Sequence, residues 1–253
     1  MTTSTTADKL RGPLAALFWL LVWQLAAMAI NQKILLVSPV AVLLRLIELL
    51  PAAEFWSAIL FSFSRITCGF LLACVFGTVL GALSFRFRLA QALAAPLMSA
   101  VKSTPVASFI ILVLLWVPSK NLSIVISFLM VTPIVYANIL GGLSGMDVEL
   151  AEMAQVFRVP FARRLRYLYV PQVMPYFRSA CAAGLGLCWK AGVAAEVIGL
   201  PNGSIGEKLY QAKVYLETPD LFAWTVVIVL VSILFERLFL WLLDSFLHRL
   251  ERA

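Results

Sequence analysis

Four ionisable side chains stand inside otherwise apolar stretches, Lys102, Arg178, Lys190 and Glu196. Charges in such places are costly, and they usually face a bundle interior or a water-filled path. Lys190 follows Trp189 at a depth too great for easy snorkelling, and together they can hold an anionic or aromatic solute in transit. Glu196, about two turns further out, can set an outer gate, and Lys102 can reach the inner interface, or the helix break at Pro105 after it can line a gate. The same groups can equally form a packing network. Lys190 and Glu196 are six residues apart and do not share a helix face, so each needs a partner elsewhere. Arg178, two turns from one end of its stretch, can extend its head to the interface.

Other chemistries lack parts. Cys68, Cys74, Cys181 and Cys188 contain no C-x-x-C pair, lie in apolar stretches and read as small buried hydrophobes. His248 is the one histidine, too few for a histidine-based zinc site, and it stands in a charged tail, so a serine-histidine triad is a poor expectation. The chain holds no G-x-x-x-x-G-K-[ST] phosphate loop. No metal or cofactor is expected on this chain, and hydrolytic chemistry is a poor expectation.

The elements that position these groups must lie in lipid. The 253 residues are 62 % hydrophobic and 13 % charged, with a mean hydropathy of +0.95. A soluble domain is about 45 to 50 % apolar, and disordered chains are charge-rich. Stretches at about 13–30, 59–84, 95–117, 122–143, 171–199 and 221–243 approach or exceed the roughly 20 apolar residues that cross a bilayer. Ala27-Met28-Ala29 resembles a signal cleavage site, but the apolar run before it, with Trp19 and Trp23, predicts a retained anchor. The expected fold is all-α, one polytopic domain of six spans over residues 1–253.

The net charge of +7 raises the question of nucleic acid, and sidedness answers it. With the N-terminus inside, Lys9, Arg11, Arg86, Arg88, Arg158, Arg163, Arg164, Arg166, Arg249 and Arg252 face the cytoplasm. Lys33, Arg45, Lys120, Lys208 and Lys213 face the other side. Six spans with both termini cytoplasmic satisfy this asymmetry, with no nucleic-acid partner. Outside, Ser38-Pro39 opens an amphipathic segment containing Val42, Leu46 and Leu49, with Arg45 and Glu48 between them. Inside, the connection at about 144–170 is the most polar part of the chain. There Ser144 or Asp147 can cap a short helix with Leu150, Met153, Ala154 and Phe157 on one face, and Pro171 is expected to open the fifth span. An interfacial helix resting on headgroups is the alternative to a docking element.

Glu152-Met153-Ala154, then Arg158, then Leu168-Tyr169-Val170-Pro171 resembles the EAA loop of permease subunits of binding-protein-dependent ABC importers. Leu36-Val37-Ser38-Pro39, Ser64-Arg65-Ile66 with Gly69-Phe70, Lys102-Ser103-Thr104-Pro105, Ala195-Glu196 and Ser204-Ile205-Gly206 are similar to landmarks of the group importing aliphatic sulfonates, taurine, nitrate and a thiamine precursor. The resemblance covers nearly the whole chain and implies a type I ABC importer permease fold. It implies an ATPase subunit that carries ATP and Mg, an extracytoplasmic binding protein, a second permease copy and a place in the bacterial cytoplasmic (inner) membrane. It assigns ATPase coupling to Asp147, Glu149, Leu150, Glu152, Met153, Ala154, Phe157, Arg158 and Pro171. The translocation path is expected at Lys102, Pro105, Trp189, Lys190 and Glu196. Two departures stand out: Met153 replaces a small alanine, and Arg158 replaces the glycine of the turn after the coupling helix. An ion-gradient transporter using Lys190 and Glu196 is the competing expectation.

Overall fold

A computed structural model describes the backbone of residues 6–30, 32 and 35–252, and the side chains of these except 6–13, 16, 246 and 248–252. Lys33 and the side chains of Lys9, Arg11, His248, Arg249 and Arg252, used above, lie outside the described residues. The described chain is helical throughout its regular structure. In order come α1 (Thr6–Ile30), α2 (Pro39–Leu49), α3 (Ala53–Arg86), α4 (Arg88–Ser103), α5 (Val106–Leu114), α6 (Ser119–Ser144) and α7 (Val148–Val156). They are followed by α8 (Phe161–Arg164), a π turn (Leu165–Tyr169), α9 (Val170–Gly199), α10 (Ile205–Val214) and α11 (Thr218–Arg252).

Four helical segments among the described residues are long and apolar enough to cross a membrane: Ala53–Arg86, Ser119–Ser144, Phe161–Gly199 and Thr218–Ser245. The expected third span does not run straight, because α4 and α5 meet at 105° across Thr104 and Pro105. Pro105 cannot donate an amide hydrogen, and it biases Thr104 to extended backbone, ψ 131°. Counting the bent pair as one gives five spans. The expected first span falls in α1, whose described apolar stretch, Leu17–Ile30, is shorter than a full crossing. The count of six is therefore not reproduced by length and composition.

The core is the packing of α6 between α3 and α9. Ile66, Phe70, Val131, Val135, Leu185 and Trp189 are buried there together. In lipid the apolar effect does not separate helix from helix, so close contact of backbones must hold them. Gly69 shows how close: a Cβ added there would lie 2.3 Å from the Ile124 carbonyl oxygen of α6. Buried hydroxyls use the same proximity, as where Ser127 donates to the Cys188 carbonyl at 3.2 Å. Cys74, Cys181 and Cys188 are buried free thiols, whereas Cys68 is exposed on α3, a correction to its expected burial.

At one end of the bundle α2 forms as expected, with Ser38 as its N-cap and Val42 buried. Arg45 does more than separate apolar residues. Its guanidinium grips the Asp220 carboxylate at the start of α11 with two hydrogen bonds and donates to Glu48 at 2.8 Å. These bonds, to Asp220 above all, raise the Arg45 pKa beyond its ordinary value. The indole of Trp23 in α1 donates to the Val37 carbonyl at 3.0 Å, so α1 joins the assembly at this same end.

Candidate coupling segment and membrane path

The connection between α6 and α9 builds its helix from local signals. Asp147, not Ser144, is the N-cap of α7, and its carboxylate accepts from the Glu149 and Leu150 amides at 2.9 and 3.3 Å. Glu149 then adds negative charge to the first turn, where the helix dipole favours it. The Asp147 amide donates to the Gln172 side chain at 3.0 Å, which fastens the cap to α9.

The end of α7 explains Arg158. Val159 N–H bonds the Ala154 carbonyl and Arg158 N–H bonds the Gln155 carbonyl, both at 3.0 Å. This is the paired-bond termination that needs a left-handed residue after the cap. Arg158 adopts it, with φ 51°. The turn shape expected for glycine is thus kept with an arginine in it. A non-glycine residue loses about 1–2 kcal/mol there, while glycine loses about 0.5–1 kcal/mol of chain entropy. Arg158→Gly is therefore expected to raise stability slightly, by less than about 1 kcal/mol. Thermal unfolding of purified wild type and variant in one detergent checks this, and a clearly lower midpoint for the variant contradicts it.

Of the residues assigned to coupling, only Ala154 is buried. Met153 is about half exposed, so its larger side chain stands largely outside the packed interior. Leu150, Met153, Val156, Phe157 and Phe161 form an exposed apolar group flanked by exposed Glu149, Glu152, Arg158 and Arg163. Val156 and Phe161 were not expected there. Their signal was present, since each lies one or four residues from Phe157 in the sequence. Exposed large apolar residues beside charged ones make this segment a candidate contact surface.

Pro171 stands in the first turn of α9, as expected, but the helical run starts earlier. The helical backbone begins at Phe161 after Pro160, and it passes through the π turn into α9, where Val170 N–H reaches back five residues to the Leu165 carbonyl. Pro171 and Pro175 lack amide hydrogens, so the α-helical ladder is already interrupted at this level. The π turn is the rare single-turn kind that occurs as a bulge inside a longer helical run.

Further along α9 the expected path residues separate. Lys190 is exposed, on the same face as Tyr176, Ser179, Ala183 and Gly186. Trp189 is 2 % exposed, in the core near Phe63 and Phe235. Neighbouring Lys190 is exposed while Trp189 is enclosed, so the structure does not bring the two together on one open face. Glu196 is fully buried. Its Oε2 accepts from the Ser62 hydroxyl at 2.7 Å and from the Gly206 amide at 3.3 Å. It therefore belongs to a helix-packing network and does not stand beside Lys190. Ser62 was missed, although Ala58, Ser62, Gly69, Ala73 and Gly77 recur on one face of α3, and that small-residue stripe was the available signal. Lys102 and Pro105 are both exposed, at the bend between α4 and α5. Arg178 makes two hydrogen bonds to Asp244 of α11, at 2.7 and 3.1 Å, instead of merely reaching the interface.

Comparison with known proteins agrees with this layout. The family of binding-protein-dependent transport system inner membrane components matches residues 69–252, more than half of the chain. A protein named for aliphatic sulfonates transport permease, SsuC of Bacillus subtilis, is 25 % identical over 234 residues, covering 91 % of this chain and 81 % of its own. The taurine transport system permease protein TauC of Escherichia coli K12 is 24 % identical over 220 residues, covering 85 % and 80 %. The bicarbonate transport system permease protein CmpB of Synechococcus elongatus is 24 % identical over 189 residues, covering 74 % and 68 %. A crystal structure of an amino acid ABC transporter with histidines shares the fold, with a TM-score of 0.61 at 16 % identity, over 81 % of this chain and 97 % of the other. An all-helical bundle of membrane-crossing segments, an exposed capped helix in one connection and a family match over most of the chain lead to one conclusion: the chain belongs to the binding-protein-dependent transport system inner membrane components, as a multi-pass permease subunit of an ABC importer.

Proposed function

We propose that this chain, with a second copy of itself, forms the membrane passage of an ATP-driven importer for a small anionic or heterocyclic solute handed over by an extracytoplasmic binding protein. The observation that carries the reading is α7, a capped helix outside the spans that leaves Leu150, Met153 and Phe157 exposed between charged neighbours. Such a surface suits a groove in a separate ATPase subunit, which would hold ATP and Mg. Closure of two ATPases would displace the segment from Asp147 to Phe157 and, through Pro171 and α9, switch the passage. Both termini lie in the cytoplasm in this reading, since that places the Arg158–Arg166 cluster inside.

Lys102 and Pro105 at the bend, and Lys190 on the small-residue face of α9, are the path residues of this reading. A ring of two exposed Lys190 side chains would favour an anion without binding it tightly. The sulfonate, taurine and bicarbonate named for the relatives fit that charge preference. Small residues on this α9 face permit close approach of the second copy.

The test is recruitment and energy source. The chain expressed with its candidate ATPase should co-purify with it, and charge reversal at Glu149 and Glu152 should remove most of the coupled hydrolysis and uptake. An ion-gradient transporter would instead show uptake that persists without any ATPase and collapses when the gradient is dissipated. The buried position of Glu196 away from Lys190 speaks against that second reading.

A further inference from the structure

The outer helix α10 is capped from two other helices and by its own N-cap residue. Helices leave their first amides without internal partners, and each one here is satisfied. The Ile205 amide donates to Ser62 Oγ of α3 at 3.0 Å, the Gly206 amide to Glu196 Oε2 of α9 at 3.3 Å, and the Glu207 amide to the Ser204 side chain at 3.0 Å. Ser62 also donates to the same Glu196 oxygen. One carboxyl group and one hydroxyl thus join α3, α9 and α10. The N-terminal end of a helix dipole favours the acidic group.

Packing locks the same joint. A Cβ on Gly206 would stand 2.3 Å from Glu196 Cβ and 2.6 Å from the Val197 amide nitrogen, so the α10 backbone rests directly on α9. The chain reverses between them through left-handed Leu200, φ 48°, and Gly203, φ 78°. Beyond the joint, α10 ends in exposed Val214, Tyr215 and Leu216. At its other end α9 continues into the π turn and the α7 connection, to which the Gln172 side chain is bonded.

We propose that Glu196, bonded to Ser62 and to the first turn of α10, locks α10 to α9 so that the two travel as one body when the cytoplasmic connection is displaced. Glu196 is then a positioning residue, and α9 is a lever with the ATPase contact at one end and an outer docking surface at the other. The inference rests on the importer reading given above. Its consequence is that nucleotide binding inside reaches the outer surface through this joint.

The experiment uses the full chain assembled with its ATPase in nanodiscs, with Cys68 replaced by alanine, and ATP with vanadate as the probe. Spin labels at Ile198→Cys on α9 and Val214→Cys on α10 report the joint. Labels at Ile198→Cys and Leu43→Cys report movement of α9 against α2. In wild type the joint pair should give one narrow distance distribution that nucleotide does not alter, while the α2 pair shifts. Glu196→Gln, which keeps an acceptor for Ser62 and Gly206, should behave as wild type. Glu196→Ala should broaden the joint distribution and make it respond to nucleotide. A narrow, nucleotide-invariant joint in Glu196→Ala overturns the lock. If that variant fails to assemble, Ser62→Ala is read in the same way, and invariance there also overturns it. Absence of any nucleotide response at the α2 pair in wild type sinks the importer reading itself, a result distinct from failure of the lock.

Discussion

Phe157→Asp is expected to abolish ATP-dependent uptake while leaving the permease folded in the membrane. Phe157 is 74 % exposed, so its removal costs little packing within this chain. It sits at the C-terminal end of α7 near Met153 and Val156, on the surface proposed to meet the ATPase. Large apolar anchors at the centre of an interface commonly account for 2 kcal/mol or more of binding, about 30-fold in affinity. An aspartate adds the cost of burying a charge against apolar groups. Co-purification with the ATPase should fall at least about 10-fold, with the amount of folded permease unchanged. An exposed polar site nearby supplies the control: Gln155→Ala should change neither quantity, because Gln155 is exposed and only its carbonyl enters the α7 terminus. Wild-type recruitment by Phe157→Asp would remove the apolar surface of α7 from the contact.

Gly69→Val has the opposite character, since its damage should fall on the fold. Its added Cβ would meet Ile124 O at 2.3 Å and Ser127 Cβ at 2.9 Å, and the first of these is backbone that cannot rotate away. The α3 and α6 helices would have to part along their main contact, where Ile66, Phe70, Val131 and Val135 are buried. Overpacking in a well-fitted core costs about 1–3 kcal/mol and sometimes more. Here two further methyl groups follow the clashing atom, so the upper end of that range is expected. Gly141→Ala is the informative comparison, because Gly141 is exposed and a Cβ there meets nothing within 4 Å of the described chain. Unfolding of the two variants in the same detergent should show a large fall in midpoint for Gly69→Val and almost none for Gly141→Ala. Equal midpoints would mean that α3 and α6 are not held at this spacing.

The two predictions differ because exposure and contact differ, and neither is visible in a linear chain. Glycine is equally small at 69 and 141, and phenylalanine is equally apolar at 157 and 70. In a soluble protein apolar periodicity separates core from surface. In lipid both faces of a span are apolar, so hydropathy marks where a helix crosses and leaves open which face meets another helix. Small residues carry part of the missing signal, and the stripe on α3 points at α6 even though Ser62 within it was overlooked.

What the sequence by itself determined is what depends on neighbours in the chain. Apolar length located the four long crossing segments and the region of the bent pair, Asp147 and Ser38 set helix starts, and the spacing from Glu152 to Pro171 identified the connection and its family resemblance. The backbone at Arg158 was not decided locally, because an arginine in place of the family's glycine put the shape of the turn in doubt; the structure keeps the left-handed turn. Only the tertiary structure decided the fate of the charged groups. Lys190 and Glu196 are six residues apart on one helix, yet one is exposed and the other is enclosed by Ser62 and the first turn of α10. Arg45 and Arg178 likewise found Asp220 and Asp244, far away in the chain. A helix fixes the direction of each side chain about its axis, but the position of neighbouring helices decides whether that direction leads to lipid, to a second subunit or to a hydrogen-bond partner.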